Sequence, residues 1–204
     1  MIDFYTFATP NGKKVKIMLE ELGVPYKEHT INLRNMEQKT PEFLAINPNG
    51  KIPAIVDNEG PFGKKTTVFE SGAILYYLAE KYGKFIGSHL DSKAHTMQWV
   101  MFQMSGIGPN FGNLHYGLNS MEVKNPAFIQ RFEKESKRLL EVMETQLRKN
   151  TYLAGHEYTI ADMATYPWMQ GFRATREEWF TNLPSVRRWM DAVGSRPPVQ
   201  KALA

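Results

Sequence analysis

A small mixed α/β unit followed by an all-helical one is the architecture this chain predicts, on three observations. The first 83 residues alternate strand-like and helix-like stretches in the order βαβ, short α, ββα, which makes a mixed sheet with helices on its faces. Residues 84–91 read as a linker, and the apolar stretches of residues 92–204 all have helical period. Inside the first unit, Pro53 interrupts a β-branched run, and Glu70-Ser71-Gly72 joins a strand directly to a helix.

Taken in order, residues 2–7 form a short first strand. Asn11 can cap a helix whose apolar positions Val15, Met18, Leu19 and Leu22 follow the i, i+3, i+4, i+7 rule, and Gly23 stops it. Residues 26–32 read as a second strand. Thr40-Pro41-Glu42 supplies a cap, a proline at the first helical position and an acid in the first turn, so a short helix follows. Residues 52–56 lead into a third strand and residues 66–69 form a fourth. Apolar residues at 74, 75 and 78 then mark one face of a helix. Beyond the linker, residues 92–115 read as one long helix. Asn125-Pro126 starts another, with Phe128, Phe132, Leu139, Leu140, Met143 and Leu147 inward. Thr159 and Asp162 form a capping-box variant opening a third, which Pro167 is expected to kink. Pro184 opens a fourth, with Arg196-Pro197-Pro198 as its end. The Met and aromatic stripes of these helices read as core, not as a cofactor box.

Composition narrows the function classes. With 42% hydrophobic and 23% charged residues, the chain has the make-up of an ordinary globule with a real core. No apolar run is long enough for a membrane span, and the start, with an acid at position 3, is not a signal peptide. With no cysteine, any thiol or disulfide chemistry must take its sulfur from ligands. Cytoplasmic residence is the expectation. Histidines 29, 89, 95, 115 and 156 show no metal-ligand spacing, so no metal is expected. The net charge of +4 comes from scattered basic pairs mixed with acids, which reads as a solvated surface and not a nucleic-acid stripe.

The segments 47–53 and 69–72 carry the chemistry. A proline entering a strand suggests a tight turn, of the kind a cis X-Pro bond makes, that leaves the N–H and C=O of Ile52 available to a ligand. The helix after Glu70-Ser71 offers free amides and a positive dipole end, with a carboxylate and a hydroxyl on top. Such a corner suits a ligand with a carboxylate, an ammonium and a peptide backbone. Glutathione carries all three. An ordinary acidic cap is the plainer reading of Glu70-Ser71, and the arrival of Ile52-Pro53 beside it favours the ligand.

The N-terminal βαβ-ββα unit with Ile-Pro before its third strand is similar to the thioredoxin fold. Followed by a helical domain, it resembles the cytosolic glutathione transferases over essentially the whole chain. Thr9-Pro10-Asn11-Gly12-Lys13, Glu70-Ser71-Gly72-Ala73-Ile74-Leu75 and Met104-Ser105-Gly106-Ile107-Gly108-Pro109 look most like the bacterial Nu-class, disulfide-bond-reductase branch. The Glu-Ser-Gly string is shared by many classes; joined to Thr-Pro-Asn-Gly it is fairly specific.

The resemblance implies a role for each matching position. The backbone of Ile52, before Pro53, would pair with the cysteinyl unit of glutathione as an added strand. Glu70 would take the γ-glutamyl ammonium, and Ser71 the γ-glutamyl carboxylate. Gln38 and Lys51 would face the other end of the tripeptide, and Arg131 corresponds to a family arginine near the ligand. Thr9 and Asn11 together would contact and activate the thiol. They could equally cap the first helix, although Pro10 between them is not what capping alone asks for. Tyr5, the rival thiol donor by analogy with tyrosine-type classes, lies mid-strand and reads as packing. His115, Tyr116, Trp168, Phe172 and Arg173 either wall a second-substrate pocket or pack the core. The resemblance further implies a two-fold homodimer, with residues 92–204 lining the second-substrate site and the subunit interface. Glutathione-dependent reduction of small disulfides, and of hydroperoxides, is the expected activity. Conjugation of electrophiles and a non-catalytic binding role on the same fold are the alternatives.

Overall fold

A computed structural model describes all residues, 1–204, and divides them into two compact units, Met1–Ile86 with Arg196–Ala204 and Gly87–Ser195.

The first unit is built on four strands in the order β2-β1-β3-β4: β1 (Ile2–Thr6), β2 (Tyr26–Thr30), β3 (Ala54–Asp57) and β4 (Thr66–Phe69). β1 runs parallel to β2 and antiparallel to β3, and β3 is antiparallel to β4. The parallel pair needs a crossover, and α1 (Pro10–Leu22) supplies it. Thr9, and not the expected Asn11, starts α1 by accepting from the Gly12 N–H (3.2 Å), because Pro10 already takes the first helical position, and Gly23 ends it at φ 65°. Val15, Met18 and Leu19 of α1 meet Ile74, Leu75 and Leu78 of α3 (Ser71–Tyr82) in a core with Phe4 and Ile55. The short α2 (Pro41–Leu44) begins at Thr40 as its cap requires.

The chain end departs from the sequence reading. The helix opened by Pro184 does end before Arg196-Pro197-Pro198, but a further helix not expected from the sequence, α9 (Pro197–Leu203), opens there, packs on α1 and belongs to the first unit. Proline stops a helix but also suits the first turn of the next one. Val199 and Ala202 bury the apolar side, Arg196 forms a bidentate pair with Glu21 (2.6 and 2.8 Å), and Lys201 pairs with Glu20 (2.7 Å).

The second unit consists of α4 (Leu90–Phe102), α5 (Gly108–Asn119), α6 (Pro126–Leu147), α7 (Ile160–Arg173) and α8 (Pro184–Gly194). Helix therefore starts at Leu90, inside the expected linker. The expected single helix over 92–115 is two, joined by a π-helical turn at Gln103–Ile107 where Gly106 lies 3.4 Å or more from Leu139 for any added Cβ. α7 continues through Pro167 and is buried over most of its length. Two buried carboxylates tie the unit together. Asp162 accepts from the N–H groups of Thr159 (2.9 Å) and Leu153 (3.0 Å) and from Trp189 Nε1 (2.8 Å). Glu144 of α6 accepts from the N–H groups of Ser185 and Val186, both at 3.0 Å, capping α8 from another helix.

Candidate functional site

Strand register gathers the candidate residues of the first unit at one end of the sheet. Tyr5 pairs with Ala54, and Ala54 with Phe69, so the exit of β1, the entry of β3 and the exit of β4 lie side by side. Thr9 and Asn11 follow the first, Ile52 and Pro53 precede the second, and Glu70 and Ser71 follow the third. Residues remote in sequence are thus brought together by topology alone.

The Ile52–Pro53 bond is cis, and no hydrogen bond within the protein involves the N–H or C=O of Ile52. The loop before it is held from inside. Asn47 is buried, donates from Nδ2 to the Lys51 carbonyl (2.6 Å) and accepts the Asn49 N–H on Oδ1 (3.0 Å). Gly50 turns at φ 60°, where an added Cβ would fall 2.9 Å from the Gln38 carbonyl. Gln38 thereby lies against this loop, and its Oε1 is buried without a hydrogen-bond partner. Lys51 is exposed.

Glu70 is the N-cap residue of α3, yet its side chain makes no capping hydrogen bond. It sits at φ 67° and ψ 119°, a backbone conformation that costs a non-glycine residue about 1–3 kcal/mol. Its carboxylate is exposed and accepts from Asn49 Nδ2 (3.3 Å). The plain acidic-cap reading therefore does not describe Glu70. Ser71 is buried, and Lys14 Nζ donates to its Oγ (3.3 Å).

At α1 the outcome is different. Thr9 does cap the helix, and Pro10 occupies the first helical position, where proline is favoured. Capping alone accounts for Pro10, so that residue adds nothing to the case for thiol contact. Asn11, half-buried, stands in the first turn beyond it. Gly12 is required there, because an added Cβ would collide with the Phe7 carbonyl and Thr6 Oγ1. Tyr5 stacks on His29 (centroids 4.6 Å, planes 11° apart) and meets Phe43 edge-on, as a packed residue does.

The candidates of the second unit do not converge. Phe172 packs edge-on against buried Phe111 at 4.6 Å, and Trp168 faces Gly112. Arg173 pairs with Glu177 (2.8 Å) and Asp191 (3.3 Å) beside a separate cleft. His115 and Tyr116 are exposed on α5, the latter edge-on to Phe128. Arg131, exposed on α6, lines a cavity of about 620 Å³ with Asn110, Lys134 and Arg138.

Comparison with known proteins decides the family. Residues 2–80 match the glutathione S-transferase N-terminal domain, and residues 113–197 match the C-terminal domain. The chain belongs to the glutathione S-transferase family. Among family relatives, the disulfide-bond oxidoreductase YfcG of Escherichia coli (strain K12) is 39% identical over 204 residues, spanning 100% of this chain and 94% of that protein. A glutathione transferase of Burkholderia graminis, solved with two glutathione molecules bound per subunit, superposes with a TM-score of 0.95 at 44% identity, covering 99% of this chain and 87% of that one. Another from Pseudomonas putida, with one glutathione disulfide bound per subunit, gives a TM-score of 0.95 at 40% identity, covering 99% and 90%.

One residue next to these candidates is not singled out by the sequence reading. Lys14 is 1% exposed, deep behind Ser71. The signal was present: position 14 lies one turn before Met18, on the inward stripe of α1.

Proposed function

We propose that this family member reduces small disulfides with two molecules of glutathione. The carrying observation is the corner formed by Ile52, Glu70 and Ser71, in a chain whose relatives include a disulfide-bond oxidoreductase and transferases that bind two glutathiones or their disulfide. The unpaired N–H and C=O of Ile52 hold the cysteinyl backbone as an added strand. Glu70 takes the γ-glutamyl ammonium and Ser71 the γ-glutamyl carboxylate. Gln38, with its orphaned Oε1, and the cation of Lys51 serve the glycyl end.

A free thiol with a pKa near 8.5 is only about 3% thiolate at pH 7, and lowering the pKa by about two units needs roughly 2.7 kcal/mol of preferential thiolate stabilisation. The first turn of α1 supplies it through its dipole and through Thr9 and Asn11. The bound thiolate attacks one sulfur of the substrate disulfide, the S–S bond breaks, and the departing thiolate takes a proton. A second glutathione thiolate then attacks the glutathione sulfur of the mixed disulfide and releases the other substrate thiol. Two glutathiones lose two protons and two electrons to become glutathione disulfide, and the substrate gains both. The protein, having no cysteine, contributes no sulfur.

This chemistry needs a reduced glutathione pool, which fits the cytoplasm. A homodimer belongs to the same reading, with exposed Tyr76 and Met101 as apolar material for an interface; light scattering at two protein concentrations tests it. Turnover is tested with glutathione and bis(2-hydroxyethyl) disulfide, coupled to glutathione reductase, beside 1-chloro-2,4-dinitrobenzene. Fast disulfide turnover with weak conjugation is expected, and the reverse pattern would make the protein a conjugating transferase. Asn11→Ala should lower turnover while glutathione still binds; unchanged turnover would remove Asn11 from the thiol step.

A further inference from the structure

Lysine is among the side chains least often fully buried without a reason. Lys14 is buried on the inward side of α1, with its Nζ on the Ser71 hydroxyl at the start of α3. Burial pulls its ammonium down to about 7, with the nearby Glu70 carboxylate opposing that shift. Other charges around α1 are engaged elsewhere. From α9, Lys201 and the preceding Arg196 hold Glu20 and Glu21, two turns further along the helix. On the sheet, Asp3 is taken by His29 and Asn58, Asp57 by Lys81 and Tyr77, and Glu28 by Lys16.

We propose that Lys14 is the positioning residue of the carboxylate subsite at the start of α3, orienting and polarising the Ser71 hydroxyl and, in its protonated form, placing a positive charge behind it. The proposal rests on the reading of Glu70 and Ser71 as the γ-glutamyl site. A hydroxyl that accepts from an ammonium is a stronger donor through its own proton. A charge shielded from water acts over a longer distance than one at the surface. A lysine present only for packing would gain nothing from its charge, since an apolar side chain of similar length fills the same space without desolvating an ion. Without ligand, Glu70 is the carboxylate acting on Lys14. A ligand carboxylate adds a second, so binding favours the protonated amine and takes up protons as the pH rises above neutrality.

The test is calorimetric titration of the wild type, Lys14→Met and Ser71→Ala with glutathione and with γ-aminobutyryl-cysteinylglycine, which lacks only the γ-glutamyl carboxylate. The wild type should prefer glutathione by about 10- to 100-fold, the scale of one hydrogen bond to a charged group. Lys14→Met should cut that preference by about tenfold and leave affinity for the analogue nearly unchanged. Adding Lys14→Met to Ser71→Ala should cost little more, because the two act as one unit. At alkaline pH the ligand thiol releases protons on binding, so the wild type should show a net proton count, read from buffers of different ionisation enthalpy, shifted towards uptake relative to Lys14→Met, and equal counts would count against the proposal. A Lys14→Met protein that weakens both ligands alike, or keeps the full preference, would reduce Lys14 to packing. If the variant fails to fold, the wild type alone still decides: its preference for glutathione must shrink between about pH 6 and pH 9, and a constant preference overturns the proposal. A wild type that binds glutathione and the analogue equally would remove the carboxylate subsite itself. One that binds neither would remove the glutathione reading as a whole.

Discussion

At the start of α7, Thr159 accepts the Ala161 N–H and Asp162 returns to accept the Thr159 N–H, both groups buried. At the start of α3, the same chemistry, an acid and a hydroxyl, is arranged the other way. Glu70 turns its carboxylate to solvent, makes no capping bond and holds a positive φ, while Ser71 is backed by a buried lysine. The first arrangement satisfies a helix end from within and stabilises the fold. The second keeps strain and charge at a helix end, which is useful only if something arrives from outside. Two acids at helix starts therefore differ in role because of where their side chains go, not because of residue type.

The sharpest way to break this contrast is to remove each acid in turn. Asp162→Ala leaves the N–H groups of Leu153 and Thr159 and the indole of Trp189 without their buried acceptor, and should lower stability by about 4 kcal/mol in urea unfolding. The folded fraction should bind glutathione as before. Glu70→Gly should behave in the opposite sense. It relieves the positive φ and should raise stability by about 1 kcal/mol, while affinity for glutathione falls by about 10- to 100-fold with the loss of a charged contact. Should Glu70→Gly destabilise the protein and spare binding, the two helix ends would be alike.

Much of this contrast was legible from residue order. Gly23, Thr40-Pro41, Asn125-Pro126 and Thr159 with Asp162 each mark a helix end that the structure has, because caps are local and depend on a few adjacent residues, while the start of α1 falls two residues before the expected Asn11. Ile52-Pro53 and Glu70-Ser71 were legible for the same reason. The π-helical turn at Gln103–Ile107 does carry local breakers, Gly106 within it and Gly108-Pro109 just after, which a single helix over 92–115 leaves out of account. The other departures depend on packing between distant segments. Pro197 serves as a helix stop or a helix start according to whether α1 offers a surface, which Glu20 and Glu21 provide. Phe172 and Arg173 adjoin in sequence, but one faces the core and the other an ionic cluster, and only the rotation of α7 decides which. Lys14 was overlooked because a lysine reads as surface unless its position on the helix is weighed against its type.

The buried lysine gives the comparison a pH signature. Its folded value of about 7 lies below its ordinary 10.5, so between those limits the unfolded chain binds more protons than the folded one. Stability without ligand must then rise with pH through that window, and the full penalty of the buried charge is present below it. A rise of about 2 kcal/mol between pH 7 and 9 is expected in urea unfolding. Lys14→Met should flatten it. Burial pushes Asp162 the other way, up to about 6 from 3.8, with its hydrogen bonds opposing; its contribution therefore declines as pH rises from about 4 to 6. The lysine at the site and the acid in the fold should leave slopes of opposite sign in separate windows.

Thr9 tests whether the two uses can meet in one residue. Its Oγ1 caps α1 by accepting from Gly12, and its proposed second task is contact with the ligand thiol. Thr9→Ala should lower stability by about 1 kcal/mol, the ordinary worth of a cap, and reduce disulfide turnover as well. Thr9→Ser keeps the hydroxyl and should restore both. A variant that loses the cap but keeps full turnover would make Thr9 a structural residue like Thr159, leaving Asn11 to act on the thiol alone. Loss of turnover without loss of stability would instead place it with Glu70, whose side chain makes no capping bond and whose proposed task is to hold the ligand.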